Sequence, residues 1–146
     1  MASLAVRIVI VAAIVIGGFI FRDRLTGNAS DLKAGDCFDT KTTTEVKDVQ
    51  HHPCSEAHTA EVVLVTDYPA AKGAPYPADS EVDSWADGTC VPAILGYVGA
   101  TADLSALNYG ILYPKSDDWT DGDRQMICYL MRLDLAPMTQ SLKSAG

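Results

Sequence analysis

Ala60-Glu61-Val62-Val63-Leu64-Val65-Thr66 is the stretch on which the fold turns. A run of Val and Leu bounded by polar residues reads as the strongest strand in the chain. On its N-terminal side, a turn at Ala34-Gly35-Asp36 leads into a short strand starting at Cys37-Phe38. Residues 45–50, with Val46 and Val49, read as a second strand running on toward Cys54. On the other side, residues 67–77 hold Pro69, Pro75, Pro77 and a glycine, and so form a loop. Ser80, with Asp83 three residues later, resembles a helix start, and Val82, Trp85 and Ala86 share one face. Gly88 and Pro92 predict a kink or break, with a second helical turn over 92–98. Residues 108–113 read as a strand ended by Pro114, 116–123 as an acidic turn around Trp119, and 124–133 as the closing strand. The order β-β-β, helix, β-β gives an α+β domain with a mainly antiparallel sheet and one helical stretch.

The N-terminal end obeys different rules. From Ile8 to Phe21 the chain has fourteen consecutive residues drawn only from Ile, Val, Ala, Gly and Phe. A transmembrane helix needs about 20 mainly apolar residues. Residues 4–21 approach that length, with Arg7 near one end, where its side chain can reach the interface. A cleaved signal peptide is the competing reading, with Gly27 and Ala29 spaced for a site before Ser30. The bulky, charged Phe21-Arg22-Asp23-Arg24-Leu25 after the apolar run favours the uncleaved anchor. The expected organisation is an anchor over 1–24, a linker over 25–31, a domain over 32–135 and a polar, frayed tail over 136–146. Gly17 and Gly18, with Ala12-Ala13 before them, permit close packing of the anchor against another helix.

Charge restricts the partners. From Leu25 onward there are eight basic and eighteen acidic residues. Such a surface repels phosphate, which argues against nucleic acid and against lying flat on anionic lipid. Arg7 lies on one side of the apolar run and Arg22 and Arg24 on the other, so flanking charge gives no orientation. The cysteines do. Cys37, Cys54, Cys90 and Cys128 all follow the anchor, and an even number after an export-type segment reads as a disulfide framework. Three pairings are possible. The segments they bracket favour Cys37–Cys54 and Cys90–Cys128, the second tying a helix to a late strand, while crossed pairings stay open. The expected topology is single-pass, with the N-terminus cytoplasmic and the C-terminal domain extracytoplasmic. Spacings of 17, 36 and 38 give no C-x-x-C, so zinc and thioredoxin-like chemistry find little support.

One combination of residues goes beyond composition. Gly35-Asp36-Cys37 is followed by Pro53-Cys54-Ser55-x-x-His58-x-x-Glu61-Val62, then Cys90, then Pro114 and Trp119-x-x-Gly122-Asp123-Arg124 ahead of Cys128. The pattern, over residues 32–133, resembles the septum formation domain of actinobacterial envelope proteins. The resemblance implies an extracytoplasmic domain behind a transmembrane helix, with two disulfides and no stated reaction.

The remaining candidate chemistry is weighed residue by residue. His51, His52 and His58, with Asp48, Glu56 or Glu61, form a conceivable metal set. Adjacent residues of a strand face opposite ways, however, so His51 and His52 do not readily share an ion. His58 fits a structural role, bonded to Glu61 or to a backbone carbonyl. Ser55 lies near His58 without a nucleophile elbow around it, so no catalytic residue is assigned. Arg124 is able to clamp a ligand carboxylate. The alternative is that Gly122 makes a turn, Trp119 packs on the sheet and Arg124 pairs with a local aspartate. Asp117, Asp118, Asp121 and Asp123 read as a solvated acidic loop, their spacing unlike an EF-hand. The expectation is a non-enzymatic adaptor of the bacterial envelope, linked to septum formation, using no cofactor or metal. It meets other membrane or envelope proteins and contacts lipid through residues 4–21. An accessory subunit docked through its helix into a larger membrane enzyme complex is the alternative, and a metal-dependent enzyme using the region of His51, His52 and His58 is a more distant one.

Overall fold

A computed structural model describes residues 26–40 and 48–145. The predicted anchor, with Gly17 and Gly18, lies outside the described residues. Among the described residues no helix is long and apolar enough to cross a membrane.

The six strands are β1 (Thr26–Asn28), β2 (Cys37–Asp39), β3 (Asp48–His52), β4 (Ala60–Asp67), β5 (Leu107–Leu112) and β6 (Gln125–Arg132). They form one sheet in the order β1-β3-β2-β4-β6-β5. Every pairing is antiparallel. Helix α1 (Asp79–Val98) covers one face, and a short helix α2 (Ser116–Asp121) precedes β6.

Strand β4 is central because both of its faces are buried. Ala60 and Val62 join Leu32, Phe38, Val49 and Ile127 in one cluster. Val63 joins Ala86, Cys90, Ile94, Val98, Cys128 and Leu130 in the other, beneath α1. The register against β6 slips by one between Val62 and Leu64. That bulge sets Val63 and Leu64 against the same cluster, so the segment reads as a run rather than an alternation. Helix α1 seats itself through Val82, Ala86, Cys90, Ile94 and Val98, each one turn from the next. Both disulfides pair as the bracketing segments favoured: Cys37–Cys54, with Cα atoms 5.3 Å apart, and Cys90–Cys128, at 5.7 Å.

Five sequence expectations are corrected. Residues 116–121, read as part of an acidic turn, form the short helix α2. Residues 26–28, placed in the linker, form edge strand β1 against β3. The helix is capped two residues earlier than expected, with Ala78 at the N-cap and the Glu81 carboxylate accepting its N–H at 2.8 Å. Pro92 does not break α1. Gly88 and Pro92 both lie on the exposed side, where the Gly88 carbonyl that Pro92 cannot satisfy meets water. Buried Cys90 and Ile94 meanwhile hold the flanking turns on the sheet. The tail from Ala136 is docked rather than frayed: Met138 is buried and exchanges backbone hydrogen bonds with His58.

Candidate functional site

Among the described residues, three places that gather polar chemistry bear on function. The first surrounds Glu61, on β4 beneath α1 and wholly buried. Its carboxylate accepts hydrogen bonds from the Tyr97 hydroxyl (2.5 Å), the Ser141 hydroxyl (2.5 Å) and the Leu142 N–H (2.7 Å). All three donors are neutral, and two come from the tail. A buried carboxylate is tolerable only when its oxygens are so engaged. Burial, and the bond to Glu61, raise the Tyr97 phenol well above its ordinary value.

His58 lies close by, also wholly buried. Its Nδ1 is 2.8 Å from the Glu56 carbonyl, which can only accept, so Nδ1 carries a proton. Nε2 is buried without a hydrogen-bond partner among the described residues. Cys37, His58 and Glu61 bring one donor atom each within 4.8 Å of one another. The donor set does not suit a metal in this oxidised domain. The Cys37 sulfur is spent in the bond to Cys54, and the Glu61 oxygens hold three other donors. The other two histidines are elsewhere. His52 Nε2 lies 2.8 Å from Asp39 Oδ2 across β2 and β3, and the His51 ring lies against Gly27 of β1.

The second place is the turn before β6. Gly122 takes φ +108°, the left-handed C-cap of α2. Trp119 is buried and donates from Nε1 to the Ala74 carbonyl at 2.9 Å. The Arg124 guanidinium, 3.8 Å from the centre of the Trp119 ring, donates to the carbonyls of Trp119 and Asp123 at 2.7 Å and of Ala71 at 3.1 Å. The expected partner, a local aspartate carboxylate, is thus replaced by backbone carbonyls. Asp123 is exposed, and its carboxylate accepts the Gln125 N–H. Trp119 and Arg124 therefore fasten the proline-rich loop between β4 and α1. Tyr76 adds a bond to the Pro114 carbonyl.

The third place has no counterpart in the sequence reading. An open cleft of about 610 Å³ lies between the first two turns of α1 and strand β5. Asp79, Val82 and Asp83 form one wall, and Tyr109, Ile111 and Tyr113 the other. One turn further along α1, Asp87 accepts from the Tyr109 hydroxyl at 2.6 Å. That bond, with burial and the charges of Asp87 and Asp83, pushes the Tyr109 phenol up to about 12. The only signal available beforehand was negative. Residues 73–114 contain five acidic side chains and no Lys, Arg or His.

The chain belongs to the septum formation family, whose model matches residues 34–145. No curated protein and no solved structure matches it.

Proposed function

We propose that this chain is a non-enzymatic, membrane-anchored binding protein of the bacterial envelope. Its domain works outside the cytoplasm and meets partner proteins during septum formation. The carrying observation is the contrast between closed and open polar sites. The clusters at Glu61 and Arg124 spend their hydrogen bonds on the fold itself, joining the tail and the proline-rich loop to the sheet. The cleft lined by the Asp79 and Asp83 carboxylates and the Tyr109 and Tyr113 phenols stays open at the surface, suited to contact rather than to bond-breaking. Two disulfides suit an oxidising compartment, and the apolar run over 8–21 suits an anchor.

The test is co-purification of the full chain in mild detergent, beside a version whose residues 4–21 are replaced by an unrelated transmembrane helix. Recovery of the same envelope proteins by both forms supports the domain as the binding element. Recovery of one stoichiometric complex by the native anchor alone makes the chain an accessory subunit held through its helix. Labelling with a membrane-impermeant thiol reagent, before and after reduction, checks the compartment. Four thiols that react only inside the cell, without reductant, overturn it.

A further inference from the structure

We infer that the cleft beside β5 is a docking site for an extended, positively charged segment of a partner protein, which adds to the sheet as a seventh strand. This rests on the binding role proposed above and names its surface.

Strand β5 ends the sheet order, so one of its sides has no neighbouring strand among the described residues. Which peptide groups face that side follows from the register. Leu133 donates its N–H to the Ala106 carbonyl, and Leu107 stands opposite Arg132. In an antiparallel ladder, the residues that bond a given neighbour alternate. Asn108, Gly110 and Leu112 therefore bond inward to β6, and Leu107, Tyr109 and Ile111 turn their N–H and C=O groups outward. One of these is already engaged: the Asn108 side chain accepts the Tyr109 N–H at 2.9 Å. That exposed, local bond is easily exchanged for a strand's carbonyl. Free edges of this kind invite strand addition unless they are blocked. Neither Pro nor Lys occurs within β5 to block it.

The charge of the cleft selects the occupant. An added strand would lay alternate side chains on the helix-facing side, between β5 and α1, against Asp79 and Asp83. The 42 residues 73–114, which supply both walls, contain no Lys, Arg or His, and Lys72 and Lys115 flank them. Tyr113, 41% exposed, and Tyr109 present aromatic rings beside them, and a Lys or Arg stem packs well on such rings. A second copy of this chain fits poorly, because β5 against β5 would bring the two acidic walls together.

The test uses the full chain in nanodiscs of uncharged lipid, at physiological salt. The probe is a fluorescent eight-residue peptide of alternating Val and Lys. Its comparators are the Val-Glu peptide and a Val-Lys peptide N-methylated on alternate amides, which keeps its charge but cannot complete a ladder. The expected result is saturable binding of Val-Lys, at least tenfold weaker for either comparator and for the chain carrying Asp79→Asn with Asp83→Asn. Slowed amide exchange at Ile111, with β1 unchanged, is expected on binding. Any of four results overturns the inference: no saturable binding at millimolar peptide, equal binding of the N-methylated peptide, indifference to the two substitutions, or a concentration-dependent dimer whose exchange protection lies at Ile111. If co-purified partners survive both substitutions, the cleft is not the docking site while the binding role stands. If no partner co-purifies at all, the binding role itself fails.

Discussion

Glu61 and Asp83 are both carboxylates near α1, yet they meet opposite conditions. Glu61 lies in the interior with three donors on two oxygens. Asp83 lines an open cleft and is exposed. The difference lies in which segments reach them. The tail folds back over Glu61 and seals it, whereas the sheet stops at β5 and leaves the cleft uncovered. Burial is therefore a poor guide to activity in this domain. The buried side chains of Glu61 and Arg124 serve as fasteners, and Asp83 stays open to solvent.

The severest challenge to this contrast is Glu61→Ala. It strands three donors and frees the tail, so a loss of about 4 kcal/mol is expected, with each buried unmet donor worth about 1–3 kcal/mol. Urea unfolding measures the loss, and limited proteolysis should then cut first after Leu135. A tail that stays protected would show that Glu61 is not its fastener. Arg124→Ala comes next, at about 3 kcal/mol, because charged hydrogen bonds and a stacked ring are lost together. Arg124→Lys should recover only part of this, since one ammonium does not span the carbonyls of Trp119, Asp123 and Ala71. Full recovery would mean that charge alone matters there.

The alkaline limb sharpens the contrast. The Tyr97 and Tyr109 phenols are both held above their ordinary value in the folded protein. Folding therefore retains protons that the unfolded chain releases. Their contribution is complete below about pH 10 and is lost as pH rises from there through the folded values. The Tyr97→Phe variant should show a shallower decline between pH 9 and 11 in urea titrations. An unchanged slope would separate Tyr97 from the alkaline transition. The smallest effect belongs to the cleft. Asp79→Asn with Asp83→Asn should change stability by no more than about 0.5 kcal/mol, as exposed substitutions do. A larger change would show that the cleft is part of the scaffold.

Legibility in the sequence follows the physical source of each feature. Strands β4, β5 and β6 announce themselves because apolar side chains fill them, and the cysteines announce the framework because their chemistry is unambiguous. Strand β1 does not. Thr26-Gly27-Asn28 has no apolar side chain, and only main-chain pairing with β3 makes it a strand. The path of α1 through Pro92 depends on what Cys90 and Ile94 are anchored to, which local propensity cannot express. His58, Glu61, Trp119 and Arg124 stand out by residue type and spacing. Their partners do not: Ser141 and Leu142 lie eighty and eighty-one positions from Glu61, and Ala71 is fifty-three from Arg124. The cleft is invisible for the same reason, since Asp83 and Tyr109 meet only once α1 has folded across the sheet.

The bond between Glu61 and the tail also sets a schedule. A chain built from its amino end presents Glu61 long before residues 141 and 142 are joined to it. Until they arrive, the centre of the sheet holds a carboxylate with its seal missing. Folding is thus unable to finish ahead of these two residues. A chain interrupted before Ser141 would leave the Glu61 carboxylate short of two of its three donors.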